Sequence, residues 1–163
     1  MKTLDQQMAV YAAYHRNRWN RLTHFIGVPA IIFAILIPMI RVPIGDGVTL
    51  AHVFLGAVLA YYFLLDVPLA IATTVATCAL YYAATLAAGS GFASGWIWSG
   101  VFFVGGWIFQ FVGHAFEGRR PALADNLFQI FIAPIFLVAE VFFALGFKHD
   151  LREKVGAHLA AAK

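Results

Sequence analysis

Long apolar runs separated by short polar stretches form the main pattern of this sequence. Residues 22–40, 48–65, 67–88 and 96–116 contain no Asp, Glu, Lys or Arg. A helix needs about 20 apolar residues to cross the hydrocarbon core of a bilayer, and each run is that long or nearly so. The pattern therefore predicts an all-α, polytopic integral membrane protein with four transmembrane helices.

The N-terminal segment that precedes the first run has a different pattern. Leu4, Met8, Tyr11 and His15 recur at helical spacing, whereas the charged side chains lie off this stripe. An apolar stripe opposite a charged face is typical of a helix that lies in the membrane interface. We therefore expect an amphipathic helix over residues 3–21, placed directly before the first membrane span.

The last apolar run, residues 126–147, is interrupted by Pro134. A proline inside a helix removes a backbone hydrogen bond and usually kinks the helix. Basic loops tend to stay in the cytoplasm, and four spans that start from a cytoplasmic N-terminus return the chain there at Arg119 and Arg120. A fifth full span would export the basic residues between 148 and 154. We therefore expect the run to bend or re-enter at Pro134, with a fifth span as the alternative.

The composition is too apolar for a water-soluble protein. Of the 163 residues, 62% are hydrophobic and 12% are charged, whereas an ordinary soluble domain has about a quarter charged residues. The sequence has no linker or internal repeat, so residues 1–163 are interpreted as a single membrane domain surrounded by lipid. Its basic residues are divided among short segments, which excludes nucleic acid as a partner. A homo-oligomer stays open.

Polar residues from distant parts of the sequence are predicted to meet at the cytoplasmic ends of two spans. Gln110, His114 and Glu117 are spaced i, i+4 and i+7, so they lie on one face of the fourth span. Asn20 and His24 form a similar i, i+4 pair at the start of the first span. Asn20, Gln110 and Glu117 are therefore candidate catalytic residues beside the histidines.

His15 adds a third histidine at the same level. Neutral imidazoles supported by carboxylates and amides are suitable ligands for iron, zinc or copper. These residues favour a shared metal site formed by His15, His24 and His114. His15 and His24 are nine residues apart, which is about half a turn around a continuous helix. Both can face one metal only if the chain bends between them.

Three further charged residues are candidates for the same site. Glu140 lies in the last apolar run, on a helical stripe with Asp125 and Gln129, and ionisable residues inside a membrane are usually functional. It is a candidate catalytic residue; the alternative is a pair with an arginine such as Arg119 that holds helices together. Arg119 and Arg120 are candidate substrate-binding residues, because arginine binds carboxylates bidentately. The alternative for them is a signal of membrane orientation.

The spacing of these residues resembles that of a known family. In this sequence the pattern consists of Tyr14-His15, Asn20, His24, Pro29, the segment WIFQFVGH at 107–114, Glu117, the segment RRPAL at 119–123, Asp125-Asn126, Gln129, Ala133-Pro134, Phe136, Glu140 and the segment LGF at 145–147. It resembles the 2-hydroxy fatty acid dioxygenase family over residues 11–147. The part from 107 to 123 is the most specific.

The resemblance implies a membrane-bound oxidoreductase of lipid metabolism. The characterised fungal member of the family lies in the endoplasmic reticulum and uses Fe(II) and O2 to shorten 2-hydroxy fatty acids by one carbon, which is an α-oxidation. Carried to this chain, the resemblance implies iron bound by His15, His24 and His114, with a 2-hydroxy fatty acid and O2 as substrates. It also implies a site at the cytoplasmic face of a bacterial inner membrane or of the endoplasmic reticulum.

Interpretations from other functional classes remain open at this point. His24 and His114 could bind a b-type haem axially, as in an electron-transfer protein. Glu140 and Pro134 could instead belong to a transporter or scaffold without enzyme activity, since broken helices and buried acids also mark ion pathways. A diiron hydroxylase is a weaker alternative, because this chain has six histidines and no adjacent pair.

Overall fold

The fold is all-α, as predicted. A computed structural model describes residues 2–121 and 127–161 of the chain. Within these residues it contains seven helices and one short hairpin, which are α1 (Leu4–Ala13), α2 (Arg18–Ile40), β1 (Pro43–Gly45), β2 (Val48–Thr49), α3 (Leu50–Leu65), α4 (Val67–Gly89), α5 (Phe92–Glu117), α6 (Gln129–Ala144) and α7 (His149–Ala161).

Three of the helices are long and apolar enough to cross a membrane. They are α2, α4 and α5, and they coincide with three of the four predicted spans. The bent pair of α6 and α7 would raise the number to four if it is one span. The predicted span 48–65 becomes the shorter α3, with 16 residues, because Val48 and Thr49 pair in the hairpin instead.

The turns define the two ends of the helical bundle. Arg41, which follows α2, donates to the carbonyl oxygens of Ala88 (2.7 Å) and Gly91 (2.6 Å), at the junction of α4 and α5. This end also carries β1 and β2 and is called the hairpin end. The start of α2, the junction of α3 and α4 at Asp66, and the end of α5 lie at the opposite end, called the site end.

The predicted helix over residues 3–21 is broken in the structure, which corrects that prediction. Helix α1 ends at Ala13 and α2 begins at Arg18. Asn17 caps α2, because its side chain accepts a hydrogen bond from the backbone N–H of Trp19 at 2.8 Å. The residues from 18 to 21 therefore belong to the first long apolar helix. The chain makes a corner at residues 14–17.

Close packing of α2 against α5 brings their polar residues together. A Cβ atom added at Gly106 would lie 2.7 Å from Ile31 Cγ1 and 3.0 Å from the carbonyl oxygen of Gly27. The absence of side chains at Gly27 and Gly106 therefore lets the two backbones approach, as small residues commonly do between membrane helices. This approach places His24 of α2 near His114 of α5.

The bend in the last apolar segment lies later than predicted. Helix α6 continues through Pro134 to Ala144, and the angle of 116° between α6 and α7 arises at residues 145–148. Gly146 has a φ of 80°, and the N–H of Phe147 donates to the carbonyl oxygen of Phe142 at 2.8 Å. This is a Schellman-type end, in which a left-handed glycine terminates the helix. Lys148 then pairs with Asp66 at the site end, with Nζ and Oδ2 2.5 Å apart.

Candidate metal centre

Three buried histidines meet at the site end of the bundle. His15 lies in the corner between α1 and α2, His24 is on α2 and His114 is on α5; their exposed fractions are 2%, 2% and 6%. Each histidine has one ring nitrogen that lies within 4.8 Å of a ring nitrogen of both other histidines. The predicted convergence is thus confirmed. The corner at residues 14–17 supplies the bend that His15 and His24 require.

Hydrogen bonds to backbone carbonyl oxygens orient the imidazole rings of His15 and His24. His15 Nδ1 lies 2.7 Å from the carbonyl oxygen of Tyr11, and His24 Nδ1 lies 2.8 Å from that of Asn20. Because a carbonyl oxygen only accepts, each Nδ1 carries the ring proton. In the neutral rings, each Nε2 is left with a free lone pair. A hydrogen bond from the second ring nitrogen to a carbonyl oxygen is a usual feature of metal-binding histidines.

The two Nε2 atoms face each other at the distance expected for ligands of one ion. They are 3.1 Å apart, and two nitrogens bound to one ion at about 2.1 Å lie roughly 3.0 to 3.4 Å apart. Without a cation or a proton between them, their lone pairs would repel. The donor set of His15 and His24 therefore fits a metal ion.

Burial keeps the cluster in the form that binds metal. Loss of hydration, together with the smaller effect of the nearby His24, lowers the pKa of His15 to about 3. His15 is thus neutral at physiological pH, and a neutral imidazole is a metal ligand. The ring of Tyr11 stacks on His15 with their centroids 4.0 Å apart, which fixes the ring plane. His114 Nδ1 is buried and has no hydrogen-bond partner in the described part of the chain. Because buried polar atoms are rarely left unpaired, this nitrogen is a candidate metal ligand.

Glu117, a predicted catalytic residue, holds the corner that carries His15. Its carboxylate accepts hydrogen bonds from the backbone N–H groups of Arg16 (3.0 Å) and Asn17 (2.8 Å) and from Asn20 Nδ2 (3.1 Å). Asn20 Nδ2 also donates to the carbonyl oxygen of Tyr14 at 3.0 Å. Glu117 and Asn20 therefore hold the backbone of the corner in place, and this backbone carries His15.

An apolar cavity opens from the histidines into the bundle. It is lined by all three histidines together with Gln110 and Gln129. Its apolar walls come from α2, α3, α5 and α6 and include Val28, Ile32, Ile35, Phe54, Leu59 and Phe131. Eleven residues of helix separate His24 from Ile35, which is about 16 Å. The cavity is therefore suited to a long acyl chain with its polar end at the histidines.

Gln110 was predicted as a site residue, whereas Gln129 was named on a helical stripe and in the family pattern but was not predicted as a site residue. Gln110 lies one turn before His114 on α5 and lines the cavity, as its i, i+4 spacing predicted. Gln129 is the first residue of α6 and reaches the same cavity. The sequence offered no spacing signal that connects Gln129 to the histidines. The indications of Gln129 in the sequence were its position on the predicted stripe with Glu140 and its place in the pattern that resembles the family.

The two arginines predicted to bind substrate do not line the cavity. Arg119 is exposed; its Nη1 donates to the carbonyl oxygen of Ala13 at 3.1 Å, and its guanidinium carbon lies 5.0 Å from the centroid of the Tyr14 ring. Arg120 is also exposed. Arg119 therefore contacts the end of α1 and the start of the corner. Asp125, which was placed on the stripe with Glu140, lies outside the described residues.

Glu140, a predicted catalytic residue, does not line the apolar cavity that the three histidines border. Its Oε2 is 3.6 Å from Arg21 Nε, so its arginine partner is Arg21 and not Arg119. Glu140, Arg16, Arg21 and Arg152 line a second, polar cavity, which His15 also borders. The structure therefore separates Glu140 from the apolar cavity.

The geometry of the rings disfavours an axially bound haem. The ring centroids of His15, His24 and His114 are 4.5, 5.0 and 5.1 Å apart. A porphyrin between His24 and His114 would need the space that the ring of His15 occupies. The cluster is therefore compact enough for a single ion and leaves no gap for a haem plane.

The fold and the site define a helical membrane protein with a buried cluster of three histidines beside an acyl-sized cavity. The model of a family described as 2-hydroxy-palmitic acid dioxygenase Mpo1-like matches residues 1–145. The chain is 38% identical over 169 residues to the 2-hydroxy-palmitic acid dioxygenase MPO1 of Saccharomyces cerevisiae, with 93% of this chain and 91% of the yeast protein covered. No solved structure matches the chain. The chain belongs to the Mpo1-like family, which confirms the resemblance.

Proposed function

We propose that this protein is an Fe(II)-dependent dioxygenase that converts a 2-hydroxy fatty acid into the fatty acid one carbon shorter. The observation that supports this most strongly is the convergence of His15, His24 and His114 at one end of an apolar cavity. The yeast relative bears the name of a dioxygenase of 2-hydroxy-palmitic acid. Together, the ligand type, the cavity and the family favour oxidation of a 2-hydroxy lipid acid.

The proposed reaction balances without a further reductant. One molecule of RCH(OH)COOH and one of O2 give RCOOH, CO2 and H2O. The bond between C1 and C2 breaks, the substrate gives four electrons, and O2 accepts them. No electron-transfer partner is needed.

The residues of the chain have separable tasks in this proposal. His15, His24 and His114 would hold the iron, which supplies the O2 chemistry that amino-acid side chains lack. The apolar walls of the cavity bind the acyl chain, place C1 and C2 beside the histidines and exclude water. Glu117 and Asn20 hold the corner, so that His15 keeps its position without substrate. The substrate-binding role of Arg119 and Arg120 stays a prediction.

A comparison of two histidine variants tests this function. We expect about one iron per wild-type chain in mild detergent and conversion of 2-hydroxypalmitate to pentadecanoate, with one O2 consumed per product. His114→Ala should lose the iron and lower the conversion by about a hundredfold or more, because one of three ligands is removed. Metal analysis and product analysis by mass spectrometry measure both effects.

His52→Ala is the matched control. His52 lies at the hairpin end, where its Nε2 is 3.0 Å from Tyr81 Oη and its Nδ1 is 3.0 Å from the backbone nitrogen of Thr49. It should keep both iron and activity. Circular dichroism would show that both variants are folded. Equal iron content in folded wild type and His114→Ala, or iron-loaded protein that leaves 2-hydroxypalmitate unchanged, would contradict the proposal.

A further inference from the structure

Two glutamine side chains in the apolar cavity have polar atoms without a partner. Gln110 is 7% exposed and Gln129 is 4% exposed, and both line the cavity that the three histidines border. In the described part of the chain, Gln110 Nε2 and Gln129 Oε1 have no hydrogen-bond partner. Buried polar atoms are rarely left unpaired in native proteins. Because both side chains line the same cavity and each amide has an unpaired atom, we expect the two glutamines to bind the polar groups of a ligand in it.

The two unpaired atoms differ in chemistry. Gln110 Nε2 is a hydrogen-bond donor, whereas Gln129 Oε1 is an acceptor only. A carboxylate can satisfy the donor, but it has no hydrogen to offer the acceptor. A hydroxyl group can donate to the acceptor. A ligand that carries a carboxylate and an adjacent hydroxyl would therefore satisfy both atoms, and a plain fatty acid would satisfy only Gln110.

The surrounding backbone holds Gln110 beside the histidines. Gln110 precedes His114 by one helical turn, so both side chains project from the same face of α5. On the side of α2, a Cβ atom added at Gly27 would lie 2.8 Å from Gln110 Nε2. The amide is thus confined between the α2 backbone and the cavity. Gln129 enters from the start of α6, so the two amides come from different helices.

We propose that Gln110 and Gln129 recognise the polar head of the substrate, and that Gln129 makes the site selective for 2-hydroxy acids. Gln110 donates to the carboxylate, and Gln129 accepts a hydrogen bond from the 2-hydroxyl group. A fatty acid without the hydroxyl group cannot donate this hydrogen bond, so it binds more weakly than the 2-hydroxy acid. This inference rests on the proposed function and names the groups that select its substrate.

Equilibrium binding of two acids that differ only in the hydroxyl group tests the selectivity. Iron-loaded protein in nanodiscs is kept anaerobic, so that no turnover occurs, and each acid displaces a fluorescent fatty acid from it. The wild type should bind 2-hydroxypalmitate roughly tenfold to a hundredfold more tightly than palmitate. Gln129→Met, which keeps the length of the side chain, should weaken binding of 2-hydroxypalmitate to the level of palmitate and leave palmitate unchanged.

Two further variants separate recognition from general packing. Gln110→Met should weaken both acids by a similar factor, because both carry the carboxylate. Gln7→Met is the matched control: Gln7 is equally buried, but it lies on α1 and bonds to Tyr61 Oη (2.8 Å) and the carbonyl oxygen of Lys2 (2.9 Å). It should change neither affinity. If Gln129→Met weakens both acids equally, or neither, the inference is wrong.

The same samples separate this inference from the proposed function. Wild-type protein that prefers 2-hydroxypalmitate, loses the preference in Gln129→Met, and yet forms no shortened acid under O2 would contradict the oxidation and support the recognition. Wild-type protein that forms the shortened acid but keeps its preference in Gln129→Met would contradict the recognition alone. A wild type without any preference would also overturn it.

Discussion

At the scale of single residues, the position of His15 depends on one carboxylate. Glu117 accepts two backbone N–H groups of the corner and one amide N–H of Asn20. Hydrogen bonds to a charged acceptor are stronger than those between neutral groups. Glu117 is thus better described as a positioning residue than as a group that touches the substrate.

Glu117→Gln should weaken iron binding while the protein stays folded. The new amide keeps the size of the side chain, but its NH2 group faces a backbone N–H. Two donors then face each other, so one hydrogen bond is lost and a repulsive contact replaces it. The corner loosens, His15 is less well placed, and the dissociation constant for Fe(II) should rise about tenfold or more. Competition with a chelator measures the constant. Glu153→Gln, an exposed change on α7, is the control, and equal constants for both variants would rule out the positioning role.

The histidine cluster could be predicted from the sequence, but its supports could not. Helical spacing places Gln110, His114 and Glu117 on one face, and membrane depth places His24 near them, so local rules were sufficient. The role of Glu117 depends on hydrogen bonds to Arg16 and Asn17, about 100 positions away. No periodicity in the sequence encodes which backbone groups such a side chain will meet.

At the scale of elements, the fit of α2 against α5 depends on glycines. A Cβ atom added at Gly113 would lie 2.5 Å from Asn20 Oδ1 and 3.2 Å from the Asn20 carbonyl oxygen, and it would be closer still to Thr23 Oγ1. Contacts below 3.0 Å force atoms to move. Because Gly113 is the neighbour of His114, any such movement acts directly on the metal centre.

Gly113→Ala should therefore destabilise the protein and disturb the centre. Overpacking costs about 1–3 kcal/mol, which outweighs the gain of up to about 1 kcal/mol when alanine replaces glycine in a helix. Thermal unfolding in detergent and iron content per chain measure both effects. Gly105→Ala is the control on the same helix, since nothing lies within 4 Å of its added Cβ, and its stability should be unchanged or higher. Equal melting temperatures for the two variants would show that the interface tolerates the added methyl group.

The boundaries of the elements show where sequence patterns stop being informative. The apolar runs predicted α2, α4 and α5 well, because hydrophobicity over about 20 residues is a strong signal. The break between Ala13 and Arg18 was missed, because the amphipathic stripe continues across it, whereas the break depends on the Asn17 cap and on the hydrogen bonds to Glu117. Pro134 suggested a break that lies instead at Gly146, where a left-handed backbone ends α6.

At the scale of the whole molecule, contacts at the site end join the beginning and the end of the chain. Helix α1 packs against α7, and Asp5 Oδ2 lies 2.7 Å from His158 Nε2. Lys148 pairs with Asp66, which lies at the same end as Glu117. The segment that leaves the site end after α5 therefore returns to it after α6. Both termini are then expected on one side of the membrane, with the last apolar segment re-entrant.

Labelling of single cysteines in sealed vesicles tests this arrangement. In a Cys78→Ser background, which removes the one native cysteine, an impermeant maleimide should label Lys2→Cys and Lys154→Cys from the same side. Ser90→Cys, at the exposed turn of the hairpin end, should be labelled only from the other side. The positive-inside preference predicts that the first side is the cytoplasm, and the histidines are then expected at the cytoplasmic face. If Lys154→Cys is labelled together with Ser90→Cys, then α6 and α7 cross the membrane, and the contact between α1 and α7 cannot form in a single chain.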